Sequence, residues 1–94
     1  MNTISGDKAC EILKSGGKLI DVRTPAEFSQ GCLPNAINLP LQSIMAADNM
    51  FEKEDSLVLY CVSGARTASA KQYLDQMGYK NIYDLGSFKN YNCD

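Results

Sequence analysis

The sequence contains no histidine and no tryptophan, and the lack of histidine restricts the chemistry that the chain can perform. Histidine is the usual general base beside a nucleophilic thiol and a common zinc ligand, so sites that depend on it are excluded. The four cysteines are Cys10, Cys32, Cys61 and Cys93. They include no Cys-x-x-Cys pair, so we expect no zinc site. We also expect that the protein requires no other metal and no organic cofactor.

An excess of basic residues is also missing, since nine lysines and arginines face eleven acidic residues and the formal net charge is −2. Nucleic-acid binding would need a basic surface, so no nucleic-acid partner is expected. No apolar run is long enough to span a membrane, and residues 1–7 are polar and unlike a signal peptide. We therefore expect a cytoplasmic protein without a membrane partner. In that reducing compartment the widely spaced cysteines are not expected to form a structural network of disulfides.

Helix and strand patterns alternate along the chain, and this order predicts an α/β fold with a parallel sheet. Ninety-four residues are enough for one core, so a single domain over residues 1–94 is expected. The predicted strands cover residues 18–22, 36–39, 57–61 and 81–85. The predicted helices cover residues 7–14, a short segment capped by Thr24, residues 41–50 and residues 65–77, with a closing turn within 87–92. Phe28 and Met45 are expected to face the core.

The most informative segment joins the third predicted strand to the following helix. It reads Cys61, Val62, Ser63, Gly64, Ala65 and Arg66. Because the strand ends at Cys61 and a helix starts near Ala65, backbone N–H groups should converge on the thiol and stabilise a thiolate. Gly64 permits a tight turn, and Arg66 supplies a planar cation within reach of a bound anion. A lone cysteine is usually a small packing residue, but this context predicts a nucleophile.

The spacing within this segment separates two kinds of chemistry. Four residues lie between Cys61 and Arg66. Cysteine phosphatases use a loop that is one residue longer, because a tetrahedral phosphate must fit inside the ring of amides. A shorter loop suits one extra sulfur atom on the cysteine better than a whole phosphate. The spacing therefore favours sulfur transfer over phosphate-ester hydrolysis or arsenate reduction.

Three segments together resemble the single-domain rhodanese family, in that family's order and spacing. Residues 19–28 resemble its "DVR…EF" segment, residues 31–40 its "GHIPGAINIP" segment, and residues 61–66 its active-site loop. The resemblance implies a rhodanese-like α/β domain, with a five-stranded, mainly parallel sheet flanked by helices on both faces. It also implies that Cys61 is the residue that carries a persulfide.

Asp21 closes the first predicted strand and should lie near Cys61, because the carboxyl ends of parallel strands meet at one edge of a sheet. Two roles are open for its carboxylate. It could accept hydrogen bonds that steady the active loop, or it could cap the Thr24 region or pair with Arg23. Arg23 and Glu27 are themselves expected to form an ion pair, which would contribute little energy but would fix the turn.

Some residues depart from the rhodanese pattern. Val62 stands where many rhodaneses have arginine, so Arg66 is the loop's one cationic side chain and a dianion such as thiosulfate should be held more weakly. Cys32 replaces a common histidine, and it is either a packed apolar residue or a second thiol able to meet the persulfide. Ser87 and Tyr91 stand where glycine and tryptophan are frequent.

These features together predict a rhodanese-type sulfurtransferase, a thiosulfate:cyanide sulfurtransferase in vitro. The Cys61 thiolate would take the outer sulfur of thiosulfate or a persulfide, and the amides of residues 62–66 would share the charge of the bound sulfur. A thiol or a protein partner would accept that sulfur in the cell, and cyanide would accept it in vitro. The alternative is a catalytically weak rhodanese-like module that binds a protein partner.

Overall fold

The computed structural model describes residues 3–93, so residues 1, 2 and 94 of the expected 1–94 domain lie outside the described part. Helix α1 (Gly6–Lys14) is followed by strand β1 (Lys18–Asp21), helix α2 (Pro25–Ser29), strand β2 (Ile37–Asn38) and a 3₁₀ helix (Leu41–Asn49). Strand β3 (Ser56–Cys61), helix α3 (Ala65–Gln76), strand β4 (Asn81–Ser87) and a 3₁₀ turn (Phe88–Asn90) complete this part. None of the helices formed by residues 3–93 has the length and apolar character needed to cross a membrane.

The strands form one parallel sheet in the order β2-β1-β3-β4, so the predicted parallel α/β fold is confirmed. The expected strand count is wrong, because residues 3–93 form four strands and not five. Thr3 makes only a single parallel bridge to Asp84 beside β4, and the Ile4 N–H donates to the Asp84 carbonyl at 2.8 Å. Ser5 then caps α1 by accepting a hydrogen bond from the Lys8 N–H, so the chain turns into a helix before a fifth strand can form.

Helices cover both faces of the sheet, and the residues of β3 alternate between two apolar clusters. Leu57, Leu59 and Cys61 pack on one face with Leu74 of α3, whereas the intervening residues pack on the other face with Ala9 of α1. A parallel strand covered on both faces is expected to be a continuous apolar run, as this one is. Because side chains alternate along a strand, Cys61 points to the α3 side of the sheet.

Two side chains expected in the core lie elsewhere. Phe28 is only partly buried, and no residue of the five-residue helix α2 is buried. Met45 is 68% exposed. Residues 41–49 form a 3₁₀ helix with a non-helical Ser43 inside it, where an α-helix was expected. With three residues per turn, Ile44 and Ala47 share the buried face and Met45 turns outward.

Cys10 and Cys93 form a disulfide, so the expectation that cysteines would not make structural bridges is wrong for this pair. They lie 83 residues apart in sequence, but the fold places their Cα atoms 5.0 Å apart. The same region holds a hydrogen bond from Asn92 Nδ2 to Asp7 Oδ1 at 2.8 Å. The sequence did not predict this pairing, because the pairing depends on the C-terminal segment returning to α1.

Candidate active site

The carboxyl ends of the strands bring several predicted residues to one edge of the sheet. Cys61 ends β3 and lies opposite Ser87, the last residue of β4. Asp21 ends β1 and lies opposite Tyr60 on one side and Asn38 on the other. The structure therefore places Cys61 and Asp21 at the same edge, as the strand pattern predicted.

The Cys61 thiol is enclosed by its own loop, and its residue has no exposed surface. The Gly64 N–H donates a hydrogen bond to Cys61 Sγ, with 3.0 Å between nitrogen and sulfur. Gly64 is also the N-cap of α3, and its φ of 97° lies in the left-handed region that favours glycine. No side chain caps this helix, so its positive end faces the loop without a competing acceptor from the cap residue. This arrangement favours negative charge on the sulfur.

A threonine that the sequence reasoning missed helps to hold this turn. Thr67 is fully buried, and its Oγ1 donates to the Gly64 carbonyl oxygen at 2.7 Å. The Ala68 N–H donates to the same oxygen at 3.2 Å. The sequence did contain a signal for this contact, because Thr67 comes three residues after Gly64 at the start of a helix. At that spacing a threonine hydroxyl can reach back to the backbone carbonyl.

The other loop residues lie on the outside. Val62, Ser63 and Ala65 are exposed, and Val62 retains 41% of its surface. Cys61 itself has no exposed surface, so its thiol does not lie at the base of an open cleft.

Arg66 is paired with Glu27, 39 residues away in sequence. Its Nη1 donates to Oε1 at 2.6 Å and its Nη2 donates to Oε2 at 3.1 Å. The hydrogen bond with Glu27 raises the pKa of Arg66, and the same bond, helped by the Thr24 N–H, lowers the pKa of Glu27 to about 2. The expected Arg23–Glu27 ion pair is therefore wrong. Arg23 precedes Thr24, the N-cap of α2, and so lies outside the helix. The four-residue spacing that brings two side chains together on one helix face therefore does not apply to Arg23 and Glu27.

Arg23 instead binds the fully buried Asp21. Its Nη2 donates to Oδ2 at 2.7 Å, its Nε contacts both carboxylate oxygens at 3.0 Å, and its backbone N–H donates to Oδ1 at 2.8 Å. Tyr60 donates its hydroxyl to Asp21 Oδ2 at 2.8 Å. Burial, together with this bond to a carboxylate, raises the pKa of Tyr60 to about 12. Of the two roles open for Asp21, the pairing with Arg23 is observed, and none of its side-chain hydrogen bonds reaches residues 61–66.

The same network positions the segment that contains Cys32. The Leu33 N–H donates to the Tyr60 hydroxyl at 3.0 Å, and the guanidinium that binds Asp21 also donates to the Gly31 carbonyl at 2.6 Å. Cys32 is an exposed free thiol, so its interpretation as a packed apolar residue is wrong. It lines a cavity of about 360 Å³ on the Tyr60 side of the sheet. Cys61 points to the opposite side.

The strand order places β3 inside a parallel sheet, and four residues connect its terminal Cys61 to Arg66 on α3. This arrangement defines a class of small α/β domains in which the connection directs a backbone amide at a thiol. Residues 6–92 match the family model described as a rhodanese-like domain, and the chain belongs to that family. The family resemblance predicted from the sequence is confirmed.

Individual relatives agree with this assignment. The chain is 43% identical over 67 residues to a protein named sulfurtransferase from Allochromatium vinosum, a match that covers 71% of this chain and 63% of that protein. It therefore spans less than two thirds of that relative's length. It is 34% identical over 73 residues to the thiosulfate sulfurtransferase PspE of Escherichia coli, covering 76% of this chain and 70% of PspE. Among solved structures, the human single-domain sulfurtransferase TSTD1 has a TM-score of 0.83 at 27% identity, covering 96% of this chain and 94% of that one.

Proposed function

We propose that this protein is a sulfurtransferase that carries a sulfane sulfur as a persulfide on Cys61. The observation that carries the proposal is the hydrogen bond from the Gly64 N–H to Cys61 Sγ at the N-terminus of α3. A backbone donor and a helix dipole at that point stabilise a thiolate and, after transfer, a persulfide anion. The names of two relatives, sulfurtransferase and thiosulfate sulfurtransferase, support the same reaction class.

In the first step the Cys61 thiolate attacks the outer sulfur of a donor such as thiosulfate or a persulfide. A bond forms between Sγ and that sulfur, the sulfur–sulfur bond of the donor breaks, and its electron pair leaves with sulfite or with a thiolate. The N–H groups of residues 62–66 then share the charge of the terminal sulfur. No proton has to reach the leaving group, so the step does not need the general acid and base that a histidine would supply.

In the second step a thiophilic acceptor removes the terminal sulfur. Cyanide attacks it in vitro and leaves as thiocyanate, while a thiolate or a protein thiol would take it in the cell. The electron pair of the broken bond returns to Sγ, which restores the thiolate. Neither step uses a metal or an organic cofactor.

The burial of the thiol adds a condition to both steps. Because Cys61 has no exposed surface, a donor's sulfur reaches Sγ only when residues around the thiol shift. This enclosure also supports a second candidate function, a rhodanese-like module with little catalysis that binds a protein partner. A binding module would have no need for its thiol to become accessible.

Sulfur uptake distinguishes the two functions. We expect the protein treated with thiosulfate or a persulfide to gain one sulfur atom on the peptide that contains Cys61, and cyanide to remove it. Cys61→Ser should lose this uptake completely, whereas Cys32→Ser, which replaces the exposed free thiol, should keep most of it. The readout is the intact mass followed by peptide mapping, without reductant. Absence of uptake by the unmodified protein, or equal uptake by Cys61→Ser, would leave the binding module as the better account.

A further inference from the structure

The two arginines of the chain lie at the sheet edge that holds the thiol, and each is paired with a carboxylate. Arg66 binds Glu27, and Arg23 binds Asp21. We propose that Glu27 selects the sulfur donor: by neutralising Arg66, it makes the Cys61 site favour a donor with at most one negative charge, such as a persulfide, over the thiosulfate dianion. This inference rests on the proposed sulfurtransferase function.

The geometry keeps Glu27 on Arg66. Glu27 Oε1 also accepts hydrogen bonds from the Thr24 N–H at 3.0 Å and from Thr24 Oγ1 at 3.1 Å. The carboxylate is therefore held by the capping box of its own helix and is not free to withdraw when an anion arrives. Two terminal nitrogens of the guanidinium face the two carboxylate oxygens in a bidentate pair. A thiosulfate ion would have to compete with a carboxylate that is already in place and that stays ionised, since its pKa is about 2.

No other residue of the loop replaces the lost positive charge, because residues 62–65 are all uncharged. Lys89, on the 3₁₀ turn after β4, makes no salt bridge with residues 3–93, but it is exposed and its charge is screened by solvent. The charge that remains for a ligand comes from backbone N–H groups and the end of α3. These groups can stabilise the one negative sulfur that remains on Cys61 after transfer from a persulfide, but they leave the second charge of thiosulfate without a cation.

The reaction with a persulfide balances without a further reagent. The Cys61 thiolate attacks the terminal sulfur of RSSH, the bond between the two donor sulfurs breaks, and RS⁻ leaves with the electron pair. The proton of the donor remains on the transferred sulfur, and its dissociation leaves the anion beside the loop amides. The total charge of the reacting groups is −1 before and after the transfer.

The matched test compares Glu27→Gln with Glu11→Gln. Glutamine keeps an oxygen that can accept the Thr24 hydrogen bonds, so the cap is retained while the negative charge is removed. Glu11 is exposed on α1, and its side chain makes no hydrogen bond within residues 3–93, so its replacement changes the net charge equally, away from the site. The readout is the rate constant for sulfur uptake on the Cys61 peptide, with thiosulfate and with cysteine persulfide in turn.

We expect the ratio of the thiosulfate rate to the persulfide rate to rise roughly tenfold in Glu27→Gln, because a dianion gains more from an unmasked cation than a donor with at most one negative charge does. The ratio should not change in Glu11→Gln. A merely structural role for Glu27 would slow both donors in proportion and leave the ratio unchanged, and that result would overturn the inference. Uptake from neither donor by the unmodified protein would instead overturn the proposed function itself.

The unmodified protein offers a second test that needs no variant. A free Arg66 would attract thiosulfate, and uptake would then fall several-fold as KCl is raised from about 20 mM to about 500 mM, because salt screens the attraction. We expect the thiosulfate rate to stay constant or to rise over that range, since the chain carries a net charge of −2. A several-fold fall would show that the arginine is available to the dianion and would contradict the proposed role of Glu27.

Discussion

Replacing both Cys10 and Cys93 with serine should remove a large part of the stability of this protein. Their disulfide closes the chain across 83 residues. In the chain-entropy description, a cross-link over that length restricts the unfolded ensemble by about 4.5 kcal/mol at 25 °C. Small domains are stable by roughly 5–15 kcal/mol, so the double variant should lose roughly 30% or more of its unfolding free energy. The expected fall in the melting temperature is roughly 20 °C or more for a chain of this size.

Urea unfolding without reductant measures this loss, with Cys32→Ser as the control because that thiol is exposed and forms no bridge. Reductant should bring the unmodified protein to the stability of the double variant and should leave the double variant unchanged. The slope of unfolding free energy against urea should also be steeper for the double variant than for the unmodified protein, because an unfolded chain without the disulfide exposes more surface than one closed by it. A loss of unfolding free energy below about 1 kcal/mol would refute the reasoning, since the disulfide would then contribute far less stability than its loop length implies.

Two further predictions concern the site. Gly64→Ala should cost roughly 1–2 kcal/mol because its φ is 97°. It should also slow sulfur uptake, because alanine keeps the backbone N–H but relief of the strained φ turns this donor away from Cys61 Sγ. Gly16→Ala is the control, because Gly16 has a similar φ of 104° and no atom lies near the added carbon. This variant should lose similar stability but keep its uptake rate. Equal uptake rates in the two variants would contradict the role given to the Gly64 amide. The Glu27 pKa falls from 4.5 to about 2 on pairing, so its stabilisation is complete above about pH 5 and is lost as the pH falls toward 2. The difference in urea midpoint between the unmodified protein and Glu27→Gln should therefore narrow only in that acidic range, and a difference that disappears near neutral pH would contradict this assignment.

Features set by the local backbone could be predicted from the sequence. The capping box at Thr24 and Glu27 forms as its residues indicated, because each partner is three residues from the other. The strand that ends at Cys61 and the helix that begins at Ala65 follow from an apolar run, a glycine and a helix-forming segment. The parallel sheet follows from the alternation of helices and strands.

Features that depend on distant partners could not be predicted in this way. Arg66 was expected to face a ligand, but its partner Glu27 comes from a helix 39 residues earlier, and the pairing depends on how α2 lies against the active loop. The Cys10–Cys93 bridge depends on the return of the last residues to α1. The outward position of Met45 has another cause, since apolar spacing alone does not distinguish a 3₁₀ helix from an α-helix.

The disulfide also determines how the protein responds to mechanical load and to proteolysis. When the two ends of the chain are pulled apart, the force passes through the sulfur–sulfur bond between Cys10 and Cys93. The hydrogen bonds between the strands therefore bear little of it. A single cut in the exposed segment that contains Cys32 would leave two pieces joined covalently, and they would separate only after reduction. The thiol that would transfer sulfur therefore lies inside a closed covalent loop that withstands both kinds of damage.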